Sequence, residues 1–275
     1  MNYTLPFRIA SIHGVGRSGT SWLGQIVNSH PDTAYRHQPL FSYTHKSAID
    51  ENSTLQEMFD FFNQVYNTKD QFVLQIGDGC LGKMPHFEIK SSLPTLMVMK
   101  ETRYHYLIPK FLETFPDYKM IGIVRHPCAV INSFLNMPRE FRPDWSIEKE
   151  WRFAPSKNQG HKEDFFGFEK WKELAYIFFK MRSLYPEQFL LIKYSDLVKN
   201  PIKVAEKIMS KLGLKLHSQT VSFIKESQAN DSVDYDYSVH KSPAVVDRWK
   251  NDLLPQIRDE IYEDIQGTKL EEFLS

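Results

Sequence analysis

The chain has 275 residues, which is the size of one large domain or of one domain with a modest insert. Its 34 basic and 34 acidic residues balance, so it lacks the overall positive field of a sequence-independent nucleic-acid binder, although a local basic patch is compatible with this composition. The hydrophobic fraction of 41% and the charged fraction of 25% are typical of globular proteins and exclude a disordered chain.

Apolar runs alternate between strand-like and helix-like spacing, as in α/β folds. Residues 7–12 predict a strand, residues 14–19 form a glycine-rich stretch, and apolar side chains then recur at helical spacing from Trp22 to Val27. Residues 119–124 predict a second strand, followed by a helix with Pro127 in its first turn. Two strand–loop–helix units are therefore expected.

The later part of the chain continues this alternation. A helix face from Trp171 to Met181 leads into a predicted strand at 189–194. Asn200 and Pro201 then predict the N-cap and first residue of a helix that stops at Gly213. Two stretches, 136–168 and 227–245, lack clean periodicity and are candidate loops over a site, although solvated surface is the better explanation for most of their residues.

The number of cysteines and the absence of long apolar runs indicate the cellular compartment of the protein. Cys80 and Cys128 are too few for a disulfide scaffold or a zinc cage, and they suit a reducing compartment. The chain has no run of about 18 apolar residues, and residues 1–7 are too short for a signal peptide. If the chain is complete, we expect a cytoplasmic protein with no membrane span; its oligomeric state is not predicted.

The segment from Gly14 to Ser21 has the glycine spacing of a P-loop, followed by two hydroxyl residues. The glycines let successive N–H groups point at an anion, and the helix that begins near Thr20 adds its positive end. Thr20 stands where a nucleotide hydrolase has its lysine, Arg17 is the only cation of the loop, and no predicted strand ends in an evident magnesium-binding aspartate. The loop therefore predicts an anion site without the apparatus for ATP cleavage; a glycine-rich turn with no ligand is the alternative.

In this form the loop resembles the 5′-phosphosulfate loop of sulfotransferases that use 3′-phosphoadenosine 5′-phosphosulfate (PAPS). It is most similar to the loop of the carbohydrate and protein-tyrosine branches, which carry arginine at the position of Arg17. Arg125, followed by Pro127 and by Ser133 on the next helix, is similar to the 3′-phosphate site of that family. Three more segments resemble the family in the same order along the chain: 100–103, 192–198 with Ser195 in place of the usual glutamate, and 248–250. The resemblance covers residues from about 7 to 250 and implies a P-loop-like three-layer fold with a central, mainly parallel sheet.

The resemblance also implies the donor and the residues that bind it. PAPS has phosphate at two ends, so its binding requires two anion sites in one groove, and its product is adenosine 3′,5′-bisphosphate (PAP). The implied donor-binding residues are Arg17, Ser18, Gly19, Thr20, Ser21, Trp22, Arg125, Ser133, Tyr194 and Lys241. The family places Trp22 beside adenine and needs no metal. A surface salt bridge for Arg125, and core positions for Trp22 and Tyr194, are the structural alternatives.

Sulfuryl transfer is an in-line displacement at sulfur, which we expect to depend on positioning and charge stabilisation. The leaving phosphate gains charge, and Lys100 and Arg17 are the candidates to stabilise it. Related enzymes often carry a glutamate base just after the first helix, but alignment places Gln38 there, and a neutral amide is no base. We therefore predict the adjacent His37 as the general base, with His45 and Glu101 as alternatives. A purely structural His37 is also compatible with the sequence.

These observations predict a single domain, 1–275, that transfers a sulfuryl group from PAPS to a hydroxyl or amine of a glycan or small molecule, with 136–168 as an acceptor-side insert. A P-loop small-molecule kinase is one alternative, against which Thr20 argues. A non-catalytic PAPS- or PAP-binding protein is another, suggested by Gln38. The acceptor itself is not predicted, because the candidate side chains suit a sugar, a phenol or a lipid headgroup; they are Arg139, Arg142, Trp145, Trp151 and Phe153.

Overall fold

A single sheet of five parallel strands forms the centre of the molecule. The structure is a computed structural model that describes residues 4–77, 84–229 and 247–274. The strands are β1 (Arg8–His13), β2 (Thr33–His37), β3 (Leu96–Glu101), β4 (Lys119–Val124) and β5 (Phe189–Lys193). Their order across the sheet is β2-β3-β1-β4-β5, and this confirms the predicted α/β fold with a central parallel sheet.

Helices connect the strands and cover the sheet. The α-helices of the described ranges are α1 (Thr20–Asn28), α2 (Leu55–Tyr66), α3 (Gln71–Leu74), α4 (Ile108–Thr114), α5 (Pro127–Leu135), α6 (Ile147–Phe153), α7 (Pro155–Asn158), α8 (Phe168–Leu184), α9 (Tyr194–Lys199), α10 (Pro201–Lys211), α11 (Ser218–Ala229), α12 (Trp249–Asp252) and α13 (Pro255–Ile265). Short 3₁₀ turns occur at Pro39–Phe41, His105–Leu107 and Lys269–Phe273. None of these helices is long and apolar enough to cross a membrane.

Both faces of the sheet are buried, because side chains of β1, β3, β4 and β5 alternate between two apolar clusters. In β4, Met120 and Val124 belong to the cluster that includes α5 and α8, whereas Ile121 and Ile123 belong to the cluster that includes α1 and α10. Parallel strands covered on both faces read as continuous apolar runs, and β4 has this character. The result is three layers, with helices on either side of the sheet.

The strand order decides where a ligand can bind. Because all strands are parallel, their carboxyl ends lie along one edge, and the chain moves from β1 to β2 and β3 on one side before it crosses to β4 on the other. Helix α1, after β1, packs on one face, and α5, after β4, packs on the opposite face. A crevice therefore opens at the carboxyl ends of β1 and β4, which is where open α/β sheets bind their ligands.

Most predicted elements are confirmed, with shifts at their ends. β1 lies one residue later than the predicted 7–12, and Tyr194 begins α9 rather than ending β5. Pro127 and Pro201 each stand at the first residue of a helix. Gly213 follows α10 with a φ of +69°, a left-handed conformation that terminates helices and favours glycine.

The segment 136–168 differs from the predicted loop. It contains α6 and α7, and several of its aromatic side chains are buried, among them Phe141, Trp151 and Phe165. Apolar contacts with the rest of the fold order this segment, although its sequence has no regular period. Lys241, Cys80 and residues 230–245 of the second predicted loop lie outside the described residues.

Candidate active site

The phosphate loop follows β1 directly and ends in α1. Gly14 lies so close to β4 that a β-carbon there would come within 2.8 Å of the Ile123 carbonyl oxygen. Gly19 precedes α1 with a φ of +92°, and a β-carbon on it would clash with the Tyr194 ring. Both glycines are therefore required by the packing. The loop and the start of α1 border a cavity in the crevice, which is lined by Gly16, Arg17, Thr20 and Ser21.

Two arginines predicted to bind opposite ends of a nucleotide lie together in this crevice. Arg125 Nη1 donates a hydrogen bond to the Arg17 carbonyl oxygen at 3.1 Å. Arg17 Nε donates to Ser133 Oγ, on α5, at 3.0 Å. The guanidinium of Arg17 thus points toward the residue predicted for the 3′-phosphate. The structure brings all three residues into one groove.

The next residues of the loop differ in their surroundings. Ser18 Oγ is buried and has no hydrogen-bond partner within the described ranges, so it is a hydroxyl that an anion would satisfy. Thr20 and Ser21 line the neighbouring cavity. The donor set of this loop, backbone N–H groups with hydroxyls and an arginine, fits a phosphate or sulfate group.

The rings of Tyr194 and Trp22, both predicted to bind the donor, have different surroundings. The Arg125 guanidinium lies 4.8 Å from the centre of the Tyr194 ring, a cation–π contact that fixes Arg125 at the end of β4. Trp22 is fully buried, and its Nε1 donates to Ser227 Oγ at 2.9 Å. The structure therefore places Trp22 in the core, where a direct contact with adenine would require its neighbours to move.

A first cavity of about 320 Å³ opens beside the phosphate loop. Arg17, Lys100 and His37 line it, and the register of β2 and β3 pairs His37 with Lys100. Lys100 is buried, and its burial lowers the pKa of its ammonium group to about 8, an effect opposed by Glu101 and Glu140 and reinforced by Arg17. Lys100 is thus placed to meet a negative charge at the end of β3.

A hydrogen-bonded chain links His37 to the end of β3. The Gln38 amide nitrogen contacts His37 Nε2 at 3.1 Å, and the Thr102 hydroxyl donates to the Gln38 amide oxygen. With that orientation Gln38 donates to His37 Nε2, so the imidazole proton resides on Nδ1, which is buried. Burial, and secondarily Lys100, holds the pKa of His37 well below its usual value, so the ring is neutral near pH 7.

The two alternative bases are not at the cavity. Glu101 points away from Lys100, because neighbouring residues of a strand face opposite sides of the sheet, and it accepts a hydrogen bond from the Leu40 N–H at 3.2 Å. Burial raises the pKa of Glu101 to about 8. The ring of His45 contacts Thr68 at 3.0 Å. Neither lines the first cavity, so of the three candidates only His37 does.

The remaining wall of the first cavity contains cations and phenyl rings that the sequence patterns did not single out. Arg103 and Lys157 lie there with three phenylalanines, Phe41, Phe72 and Phe166. These side chains come from four separate segments, and no local motif connects them. Arg103 belongs to the segment 100–103, and Lys157 and Phe166 belong to the predicted acceptor-side insert 136–168, whereas no sequence signal pointed to Phe41 or Phe72.

Of the side chains proposed from 136–168 to hold an acceptor, Arg139 alone lines this cavity. Trp151 packs in the core against Phe168, and Arg142 pairs with Asp144. Trp145 packs on Phe141, and Phe153 is exposed. These four residues do not line the first cavity, since residue type alone does not distinguish cavity walls from core or surface.

A second cavity, of about 340 Å³, lies at the carboxyl ends of β4 and β5. Basic side chains line it: Arg125, Lys193, Lys199 and Lys250. His126 stacks on Trp249 with ring centres 4.4 Å apart, and burial, then Arg125 and Lys250, lowers the pKa of His126 to about 4. The Arg248–Lys250 segment is thereby brought beside Arg125. Arg17 lines the first cavity and Arg125 the second, so the hydrogen bond between these two residues connects the walls of the two cavities.

No cluster of three or more histidine, cysteine or carboxylate side chains suited to a metal ion occurs within 4–77, 84–229 and 247–274.

The fold and the site define a P-loop-like α/β protein with a basic groove at the carboxyl edge of a parallel sheet. The sequence model of the sulfotransferase family matches residues 10–218, which is most of the chain. The chain therefore belongs to the sulfotransferase family, and the predicted resemblance is confirmed. A search of curated protein sequences found no match.

Solved structures of similar fold agree with this assignment. The sulfotransferase domain of the Synechococcus PCC 7002 olefin synthase is 19% identical, with a TM-score of 0.57 and 96% of each chain covered. A sulfotransferase from Alicyclobacillus acidocaldarius is 15% identical, with a TM-score of 0.53, and the match covers 98% of this chain and 100% of that one. The mouse sulfotransferase SULT7A1, complexed with PAP, is 15% identical, with a TM-score of 0.56 and 98% and 89% coverage. At these identities the likeness concerns the fold.

Proposed function

We propose that this protein transfers a sulfuryl group from PAPS to a hydroxyl or amine of an acceptor. The observation that carries the proposal is the contact of Arg17 with both Arg125 and Ser133, where Arg17 lines one cavity with basic side chains and Arg125 lines the other. A nucleotide with anionic groups at both ends needs such paired sites, and a mononucleotide with one phosphate tail does not. The PAP complex of the mouse relative is consistent with this donor.

In this proposal the second cavity and Ser133 hold the 3′-phosphate, and the phosphate loop holds the 5′ end beside the first cavity. Arg125 contributes a forked guanidinium to the 3′-phosphate. Ser18, Gly19, Thr20 and Ser21 contribute loop donors to the 5′-phosphate. Bound PAPS would supply the sulfuryl group together with its phosphate leaving group.

Lys100 is the group that stabilises the leaving phosphate in this proposal. It is buried at the end of β3 beside Arg17, so its ammonium would meet developing negative charge in a site of low dielectric. Arg17 is the second cation and would leave Ser133 to reach the 5′ end. Because both positive charges are present before reaction, no reorganisation is needed when charge develops.

His37 is the proposed general base. Its neutral ring can accept a proton, but Nε2 first has to exchange its contact with Gln38 for one with the acceptor. We expect His37→Gln to lower turnover by about 100-fold or more, the usual contribution of a general base, while PAP binds as before. His86→Gln, an exposed histidine, is the matched control. Unchanged turnover in His37→Gln would show that His37 is not the general base.

A calorimetric comparison of PAP with ATP plus magnesium tests the donor. Preference for PAP supports the proposal, whereas preference for magnesium-ATP supports a P-loop kinase. Transfer of labelled sulfate from PAPS to a panel of acceptors then separates an enzyme from a non-catalytic binding protein. The acceptor class, glycan or other small molecule, is open to that panel, and cytoplasmic localisation is a prediction that fractionation of cells would test.

A further inference from the structure

The wall of the first cavity contains a glutamine, Gln75, that the proposed reaction does not use. Gln75 follows α3 with a φ of +54°, and its backbone N–H donates to the Phe72 carbonyl oxygen at 3.2 Å. A left-handed residue at the end of a helix is most often glycine, because glycine has no β-carbon to strain. The backbone at this position therefore does not account for the amide side chain.

A chain of three side-chain amides fixes the orientation of the Gln75 amide. Asn28 Nδ2, at the end of α1, donates to Gln25 Oε1 at 2.9 Å, and Gln25 Nε2 donates to Gln75 Oε1 at 2.7 Å. Gln25 is buried, so these hydrogen bonds are protected from water. Because an amide oxygen accepts and an amide nitrogen donates, the orientation of each amide sets that of the next. The oxygen of Gln75 is thus held by Gln25.

Two neighbours of this chain can act in only one way, and both agree with the orientation. The Lys90 ammonium can only donate, and it lies 3.4 Å from Asn28 Oδ1 and 2.7 Å from the Asn28 carbonyl oxygen. The Met84 thioether can only accept, and it lies 3.8 Å from Gln25 Nε2. A reversed chain would bring an amide NH₂ group to Lys90 and an amide oxygen to Met84. The nitrogen of Gln75 is therefore its free end.

This free end can serve a ligand of the first cavity. Gln75 lines the cavity, and within the described part of the chain its Nε2 has no hydrogen-bond partner. Phe72, three residues earlier, packs edge-on against His37 and Phe41, with ring centres 5.1 Å and 6.1 Å apart. The cavity has a volume of about 320 Å³, so a molecule of one or two rings can reach the amide, the phenyl rings and the proposed base together.

We propose that Gln75 determines acceptor specificity by donating a hydrogen bond from its amide nitrogen to an oxygen of the acceptor, while Phe41 and Phe72 contact the acceptor ring. The acceptor is then a ring compound with a hydrogen-bond-accepting oxygen in addition to the group that is sulfated. The inference rests on the proposed function and adds the class of acceptor. An acceptor with an apolar group in place of that oxygen leaves the Gln75 N–H without a partner, and such a site discriminates against it.

Two pairs of phenols test the proposal on the PAP-saturated protein. 4-Hydroxyacetophenone and 4-isopropylphenol differ by a ketone oxygen in place of a methyl group, and the 3-substituted pair repeats the comparison at another position of the ring. Ligand-observed NMR titration gives the dissociation constants and hence the affinity of each ketone relative to its partner. Gln75→Met keeps the length of the side chain but cannot donate. We expect it to lower the relative affinity of the ketone about fivefold in at least one pair, as expected of one neutral hydrogen bond.

Two further variants separate the amide chain from a general effect of losing a glutamine. Gln25 does not line the first cavity, but Gln25→Met leaves the Gln75 amide free to turn, so the relative affinity of the ketone should fall about twofold. Gln188 donates to the carbonyl oxygens of Leu112 and Phe115, outside this cavity. Gln188→Met is the matched control and should preserve the relative affinity.

Unchanged relative affinity in Gln75→Met, an equal loss in Gln188→Met, or no binding of any of the four phenols overturns the inference. PAP affinity is measured by calorimetry in the same samples. If Gln75→Met weakens PAP binding and leaves the relative affinity of the ketones unchanged, Gln75 belongs to the donor site and the inference is wrong. Failure of the unaltered protein to bind PAP contradicts the proposed function, whereas PAP binding with a ketone affinity that is independent of Gln75 contradicts only this inference.

Discussion

The two cavities at the carboxyl edge of the sheet differ in what surrounds their cations. In the second cavity Arg125 and its neighbours lie beside stacked rings, His126 on Trp249, and the walls come mainly from the ends of β4 and β5 and from the C-terminal segment. In the first cavity Lys100 is deeply buried, a hydrogen-bonded chain reaches His37, and carboxylates lie among the cations.

The difference indicates a division of roles. None of the candidate bases lines the second cavity, nor does Lys100, which suits an anchor for the 3′-phosphate. A buried ammonium near a neutral imidazole suits a place where charge and a proton move. Substitutions in the first cavity should therefore affect turnover, and substitutions in the second should affect donor affinity.

The largest expected effect is that of Lys100→Met on turnover. Loss of the buried ammonium removes a charge that stabilises the leaving phosphate, so kcat should fall by about 100- to 1,000-fold. The affinity for PAP should also fall, by about tenfold and thus by less than kcat, because PAP retains the 5′-phosphate that Lys100 contacts in this proposal. Steady-state kinetics and calorimetry measure the two quantities, with the exposed Lys180→Met as control. A variant that loses PAP binding but keeps kcat would reverse the proposed roles of the cavities.

Arg125→Gln should act on affinity. Removal of a charge-assisted contact to phosphate raises the dissociation constant of PAP by about 10- to 100-fold, and kcat at saturating donor should change less. Arg182→Gln, which replaces a half-exposed arginine of α8, serves as the matched control. Unaltered PAP affinity in Arg125→Gln would show that the second cavity is not the anchor.

The pH dependence of the reaction should report on Lys100. Because burial lowers the pKa of Lys100 to about 8, the ammonium form is present below this pH and is lost above it. We expect kcat/KM to fall above about pH 8, by up to tenfold per pH unit. The corresponding fall in kcat should begin at a higher pH, because the bound anionic donor stabilises the ammonium form of Lys100. In Lys100→Met this alkaline fall in activity should disappear. If activity still falls at the same pH, the titrating group is not Lys100.

Ser133→Ala should have the smallest effect. It removes the hydroxyl that accepts from Arg17 Nε and that is proposed to bind the 3′-phosphate, so PAP should bind about three- to tenfold more weakly. Ser210→Ala, at an exposed position of α10, is the control for a serine without a ligand. An effect on kcat larger than that on PAP affinity would place Ser133 with the reaction rather than with the anchor.

The parts of the site that the sequence predicted are built from residues close together in the chain, whereas the unpredicted parts combine residues that are far apart in it. The phosphate loop and the Arg125 segment are strand–loop–helix units, so spacing within about 15 residues was enough to find them and to anticipate the parallel sheet. β2 went unpredicted, because Thr33–His37 has no apolar run and only its place beside β3 makes it a strand. Trp22, which the resemblance placed beside adenine, lies in the core.

The choice among the candidate bases could not be made from residue types, since His37, His45 and Glu101 are all capable of accepting a proton. Side-chain alternation in β3 turns Lys100 toward the cavity and Glu101 toward the Leu40 N–H, and this geometry decides between adjacent residues. Local residue spacing was thus enough to predict the family and the fold, because a glycine turn or an apolar period is defined by residues a few positions apart. Only the tertiary structure determined which side chains line the first cavity, because crossovers of the parallel sheet bring distant segments to one edge. The burial and charge pairing of these side chains depend on neighbours that are far apart in the chain.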